Sequence, residues 1–250
     1  MKTGKKLLIA LGAIVAVAAI VAASVFGTVA YMTAASKVSN TFTVGNVTLT
    51  LDEGVVDANG QLVSGGGRTD GNSYHLMPGK SYLKDPAITV AADTESCYLF
   101  LVTRNQITEI QDPSKPTMAD QMYANGWAIY KDTSAGSRVW VYCGSAANIN
   151  GKFGDTEYTY TPVAVCGANR ASAAAGIENV IVTNPDVMIK IFQEFHITTD
   201  KSTNLNIYSG AEVTINAVGI QSDSFGTIGD ITSIDKAWAA VIAQYPYIQD

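Results

Sequence analysis

The chain has 250 residues, with 16 Lys+Arg against 22 Asp+Glu and a formal charge of −6. That acidic balance argues against nucleic acid and anionic lipid as partners, since phosphates need Lys/Arg neutralisation. With 47% hydrophobic and only 15% charged residues, the sequence is too apolar for disorder and ample for a packed core.

The first element is a leader. Lys2, Lys5 and Lys6 precede a charge-free apolar run from Leu7 to Phe26, and the small residues Gly27-Thr28-Val29-Ala30 come next. A basic head, apolar middle and small-residue exit describe a secretory signal peptide over residues 1–30, cut between Ala30 and Tyr31. The run is also long enough to cross a bilayer as a helix, so an uncleaved anchor is the alternative. Lysines at its head place the rest of the chain outside the cytoplasm either way. The expected location is therefore secreted, at the cell surface or in the extracellular matrix, with membrane contact only through the uncleaved leader.

Strand signals dominate the chain beyond the leader. Residues 42–51 alternate as Phe42/Val44 and then Val47/Leu49/Leu51, with a one-residue slip at Gly45-Asn46 that suggests a bulge. Asn59-Gly60 marks a tight hairpin. The Gly-rich stretch 64–72 is expected as a mobile loop. Residues 98–102 are apolar on both faces, as a central strand would be. In 138–143, Val139, Val141 and Cys143 oppose Trp140 and Tyr142. Residues 158–166, 187–198 and 213–221 also alternate. Two helices stand out: 117–124, with Thr117 as N-cap and Asp120 three residues on, and 232–244, with Ile234, Trp238, Val241, Ile242 and Tyr245 on one face and a Thr232/Asp235 capping box. One all-β domain with a few short helices, residues 31–250, is the economical reading.

The search for chemistry is mostly negative. His75 and His196 are the two histidines, and no His-Glu-x-x-His run occurs. Glu194 and His196 share a strand face, but catalytic zinc usually takes three protein ligands, so a solvated face is the plainer reading. No Gly-x-Ser-x-Gly elbow is present. Cys97, Cys143 and Cys166 lie in or beside apolar runs, which suits buried thiols; a Cys143–Cys166 bridge is the alternative. Asp57-x-Asn59-Gly60 opens like a calcium loop but lacks the later ligands. No catalytic residue, metal site or cofactor is expected.

The junction Ala30-Tyr31-Met32-Thr33, together with Asn40-Thr41-Phe42-Thr43-Val44-Gly45-Asn46-Val47, resembles the TasA/camelysin family of secreted Gram-positive proteins, whose leader is cut by the SipW signal peptidase. Ala34 stands where that family usually has Asp. Pro78-Gly79 with Lys84-Asp85, Glu95-Ser96-Cys97, and the run from Val213 to Phe225 are similar to later family segments. Residues 105–185 match none of it and are expected as an insertion. The resemblance implies a jelly-roll-like β-sandwich and a structural subunit of an extracellular fibre or biofilm matrix. It implies the chain itself as partner, beside the signal peptidase, with an N-terminal strand donated to the next copy. Carried onto this chain, the donor is the region from Tyr31 to about Val44, with Thr41, Phe42, Thr43 and Val44 as the joining strand and Phe42 and Val44 as anchors; alternatively 42–51 is the first strand of its own fold, or the slip at Gly45-Asn46 separates a donated part from a home part. A camelysin-type surface metallopeptidase and a monomeric adhesin are the other readings, the first without a histidine motif behind it.

Overall fold

The computed structural model describes residues 33–35, 38–44, 46–133, 136–200 and 204–248. The leader and its Ala30–Tyr31 junction lie outside them, as does Gly45.

The strands, in chain order, are β1 (Thr33–Ala35), β2 (Val38–Val44), β3 (Leu49–Gly54), β4 (Arg68–Thr69), β5 (Ser73–His75), β6 (Ser81–Leu83), β7 (Ala87–Val90), β8 (Cys97–Asn105), β9 (Trp127–Asp132), β10 (Arg138–Tyr142), β11 (Ile149–Asn150), β12 (Thr159–Tyr160), β13 (Ala164–Gly167), β14 (Val180–Thr183), β15 (Ile189–Lys190), β16 (Glu194–His196) and β17 (Val213–Gln221). The helices are α1 (Met118–Ala124), α2 (Ala171–Ala174) and α3 (Ile231–Gln244). The described residues are thus mainly β, with few and short helices.

Strand β8 is the axis of a seven-stranded sheet. Along one side it pairs antiparallel with β17 over its whole length, and along the other with β10 and then β13. Its first six residues are all buried, because the sheet is covered on both faces. Leu99 and Leu101 join a core with Leu49 and Leu51 of β3, Ile88 and Val90 of β7, Trp140 and Ile215. Tyr98, Phe100 and Val102 point the other way, into a core with Val139, Val141, Cys143, Val218 and Trp238. Period-two alternation thus feeds two cores from one strand. A four-stranded sheet, β15-β7-β3-β4, carries the partners of the first core.

Helix α3 covers the second. Ile234, Trp238 and Val241 are buried, and the Trp238 ring sits 5.2 Å from that of Phe100. Its cap differs from the expected Thr232/Asp235 box. Asp230 accepts the Thr232 N–H at 2.9 Å, two residues earlier than expected, and Asp235 instead accepts the Tyr130 hydroxyl at 2.8 Å. In α1 the expected box forms: Thr117 accepts from the Asp120 N–H, and the Asp120 carboxylate accepts from the Thr117 N–H.

Two strand readings and one loop reading need correction. Residues 42–51 are two strands in different sheets: β2 ends at Val44 in the seven-stranded sheet and β3 starts at Leu49 in the four-stranded one. The one-residue slip therefore marks a crossing between sheets. In 187–198 the alternation slips at Phe192, which is buried next to buried Ile191, and the segment splits into β15 and β16. The stretch 64–72 contains β4, which pairs Arg68 and Thr69 with Gly54 and Glu53, and ends on a buried Asn72. Residues 105–185, which match none of the family segments, hold β9, β10, β13 and β14, all strands of the main sheet.

Candidate functional site

Two places hold the residues of functional interest: the seam where β2 meets β17, and a polar cluster at the end of β3.

At the seam, β2 runs parallel to β17. Thr41, Phe42, Thr43 and Val44 pair with Ala217, Val218, Gly219 and Ile220, and the register shifts once between Ile215 and Ala217. β2 is an edge strand whose partner, among the described residues, is β17. The four residues singled out as a joining strand therefore lie within one continuous pairing. The receiving strand is apolar, with Ala217, Val218 and Ile220 all buried. After Val44 the chain leaves the sheet. Asn46 accepts the Glu95 N–H at 3.0 Å, and Thr94 clasps Thr48 by donating its hydroxyl to the Thr48 carbonyl at 2.9 Å. Gly219 permits this exit. A Cβ there would stand 2.6 Å from Val47 Cγ1 and 2.7 Å from Leu49 Cδ1, so the start of β3 rests against bare backbone.

The polar cluster breaks the alternation rule. Leu49, Leu51 and Glu53 face the same way on β3, and Glu53 is fully buried. Tyr82 and Lys84 share a face two residues apart, and both are buried. The Lys84 ammonium meets Glu53 Oε2 at 2.5 Å with neither side chain exposed. Asn72 donates its amide to Glu53 Oε1 at 2.8 Å and to the Gly54 carbonyl at 2.8 Å. Its own carbonyl accepts the Val56 N–H at 2.9 Å. Burial pulls the Lys84 amine below its ordinary range, against the opposing pull of Glu53 and then Asp85. Nearer the surface, Arg68 binds the Asp52 carboxylate and donates to the Asp52 carbonyl at 2.8 Å and the Asp85 carbonyl at 3.2 Å. Asp85 in turn accepts the Gly54 N–H at 2.6 Å. A buried ion pair repays its desolvation only with near-ideal geometry and further hydrogen bonds, and here Asn72 supplies them. None of the three central residues was given a functional role from sequence. Glu53 at the next core-facing position after Leu49 and Leu51, and Lys84 after Tyr82, were the signals.

The remaining candidates resolve plainly. Glu194 and His196 do share a face, 3.5 Å apart, and His196 Nδ1 also meets the Ser81 hydroxyl at 2.7 Å. Among the described residues, no group of three or more His, Cys, Asp or Glu side chains could hold a metal ion. Cys97, Cys143 and Cys166 are free and buried. Burial raises all three thiols, Cys143 to about 12, with Glu95 adding to the rise at Cys166. No helix among the described residues is long and apolar enough to cross a membrane.

A cleft of about 440 Å³ opens between α1 and the main sheet, lined by Thr103, Asn105, Met118, Met122, Trp140 and Phe192 among others. It brings together neither of the histidines nor any cysteine. On the far edge of the sheet, Ile181 and Val182 of β14 are exposed beside Val187 and Met188, a small apolar patch.

No family model, curated protein or solved structure matches this chain.

Proposed function

We propose that this chain is an exported structural subunit of an extracellular fibre or biofilm matrix, a jelly-roll-like β-sandwich joined to the next copy through its N-terminal strand. The observation that carries the reading is the edge position of β2, paired in parallel with β17 alone among the described residues. A strand held along one side is separable from its sheet. Without it, β17 would offer a row of unpaired backbone groups flanked by the apolar Ala217, Val218 and Ile220, which is the surface that β-augmentation uses. The same pairing made by β2 of another copy costs little beyond exchange, because the contacts are identical.

The leader gives the reading its compartment and its timing. Export puts the chain outside the cytoplasm, and cleavage at Ala30–Tyr31 frees the segment that ends in Thr41–Val44. The resemblance of that junction to the TasA/camelysin family supports the same role. The reading assigns no catalysis: the thiols are buried and raised, and His196 is engaged by Ser81 and Glu194 on an ordinary strand face. Electron microscopy of the secreted protein tests the proposal. Filaments are expected from the cleaved chain and absent from a variant lacking residues 31–44 that still folds. A cleaved wild-type chain that stays monomeric at every concentration would contradict it.

A further inference from the structure

We propose that Lys84 and Asn72 react to form an intramolecular amide cross-link, with Glu53 as the catalytic acid and base. Three observations carry it. Glu53 holds the Lys84 nitrogen on one carboxylate oxygen, at 2.5 Å, and the Asn72 amide nitrogen on the other, at 2.8 Å. All three side chains lie in the interior. The Asn72 carbonyl is already polarised by the Val56 N–H at 2.9 Å, a donor placed where negative charge would develop during attack.

The step needs no outside reagent. Lys84 passes one proton to Glu53, which leaves a neutral amine beside a carboxylic acid. Burial favours the neutral amine, which is the direction in which the Lys84 pKa is moved,. The amine lone pair forms a bond to Asn72 Cγ, and the Val56 N–H holds the resulting oxyanion. Glu53 then gives its proton to Asn72 Nδ2 and takes one from the new C–N–C nitrogen. The bond from Cγ to Nδ2 breaks, the carbonyl reforms and ammonia leaves. A secondary amide joins the two residues, and Glu53 ends protonated. Holding the reactants against one catalytic group removes most of the entropic barrier to such a condensation. The reaction also removes the cost of keeping a charged pair in the core.

The bond has a structural consequence. Asn72 immediately precedes β5, which pairs with β1, and Lys84 immediately follows β6, which pairs with β16. The amide would therefore tie the strand pair next to the N-terminus to a second pair, with a covalent link that heat or pulling cannot release. It acts inside one copy, whatever joins one copy to the next.

Peptide mapping by mass spectrometry of the full chain, digested with trypsin, decides it. Residues 69–80, which contain Asn72, are expected joined to residues 81–104 with no cut at Lys84, and the linked mass is lower than the sum of the two by about 17 Da, one ammonia. The intact protein is lighter than its sequence by the same amount. Glu53→Ala and Lys84→Met each restore the unlinked peptides. Free 69–80 together with cleavage after Lys84 in the wild-type map would overturn the proposal. A loss of about 18 Da joining Lys84 to Glu53 would overturn it as well, because the acceptor would be wrong. The wild-type map decides the matter even if a variant fails to fold.

Discussion

Gly219 lies against Val47 so closely that a Cβ on the glycine would stand 2.6 Å from Val47 Cγ1. This contact ties β17, which receives β2, to the start of β3, where the chain has changed sheets. Gly219→Val is expected to cost about 1–3 kcal/mol of stability, the usual range for overpacking a filled site. Urea unfolding measures it. A change below about 0.5 kcal/mol, the scale of a neutral surface substitution, would mean that the seam does not close as described.

A harsher version of the same test lies at Gly167. A Cβ there would meet the carbonyl oxygens of Ala91 and Ala92, each at 2.2 Å. Backbone oxygens cannot swing aside as a side chain can. Gly167→Ala should therefore destabilise more than Gly219→Ala, whose neighbours are side chains, and thermal unfolding of the two variants ranks them.

The thiols should be silent in the folded protein. With Cys97, Cys143 and Cys166 free, buried and raised above their ordinary range, almost no thiolate exists near neutral pH. A disulfide-exchange reagent at about pH 8, close to the ordinary thiol range, is expected to label none of them in native protein and all three after unfolding in denaturant. A missing thiol in the denatured sample would reveal a disulfide.

Acid should loosen α1 before it unfolds the core. The Asp120 carboxyl is held below its ordinary value of 3.8, chiefly by the Thr117 N–H. A carboxyl depressed in the folded state contributes stability that is fully present above its ordinary value and lost as pH falls through the lower folded one. Asp120→Asn should flatten that part of the stability–pH curve, and Thr117→Ala should cost about 1 kcal/mol at neutral pH. Equal acid slopes for wild type and Asp120→Asn would remove this role from Asp120.

Much of the fold was legible because alternation and helix periodicity are local. β8 reads as buried on both faces, β10 as two-sided, β17 as Val213 to Gln221, and the face of α3 as Ile234, Trp238 and Val241. What failed depends on distant partners. The slip at Gly45-Asn46 looks the same for a bulge as for a change of sheet, and only the pairing of β2 with β17 and of β3 with β7 separates them. Asp230 takes the cap of α3 in place of Thr232, and Asp235 bonds Tyr130, which is distant in sequence. The polar cluster was hidden for a similar reason. Asn72 ends a Gly-rich stretch that reads as loop, and a lone Glu53 in a strand or Lys84 just after one reads as solvated until its burial and its partner are seen.

Strand exchange between copies is the central claim, and a cysteine cross-link reads it directly. Thr41 and Ala217 are register partners across β2 and β17. Strand partners at this spacing lie within reach of a disulfide. The cleaved Thr41→Cys and Ala217→Cys proteins are prepared separately, mixed and oxidised, and the products are separated on a non-reducing gel. Covalent pairs of the two chains are expected, since β2 of one copy would lie on β17 of another. If the mixture stays unlinked while the double variant closes the same bond within a single chain, β2 belongs to its own sheet and the account is contradicted.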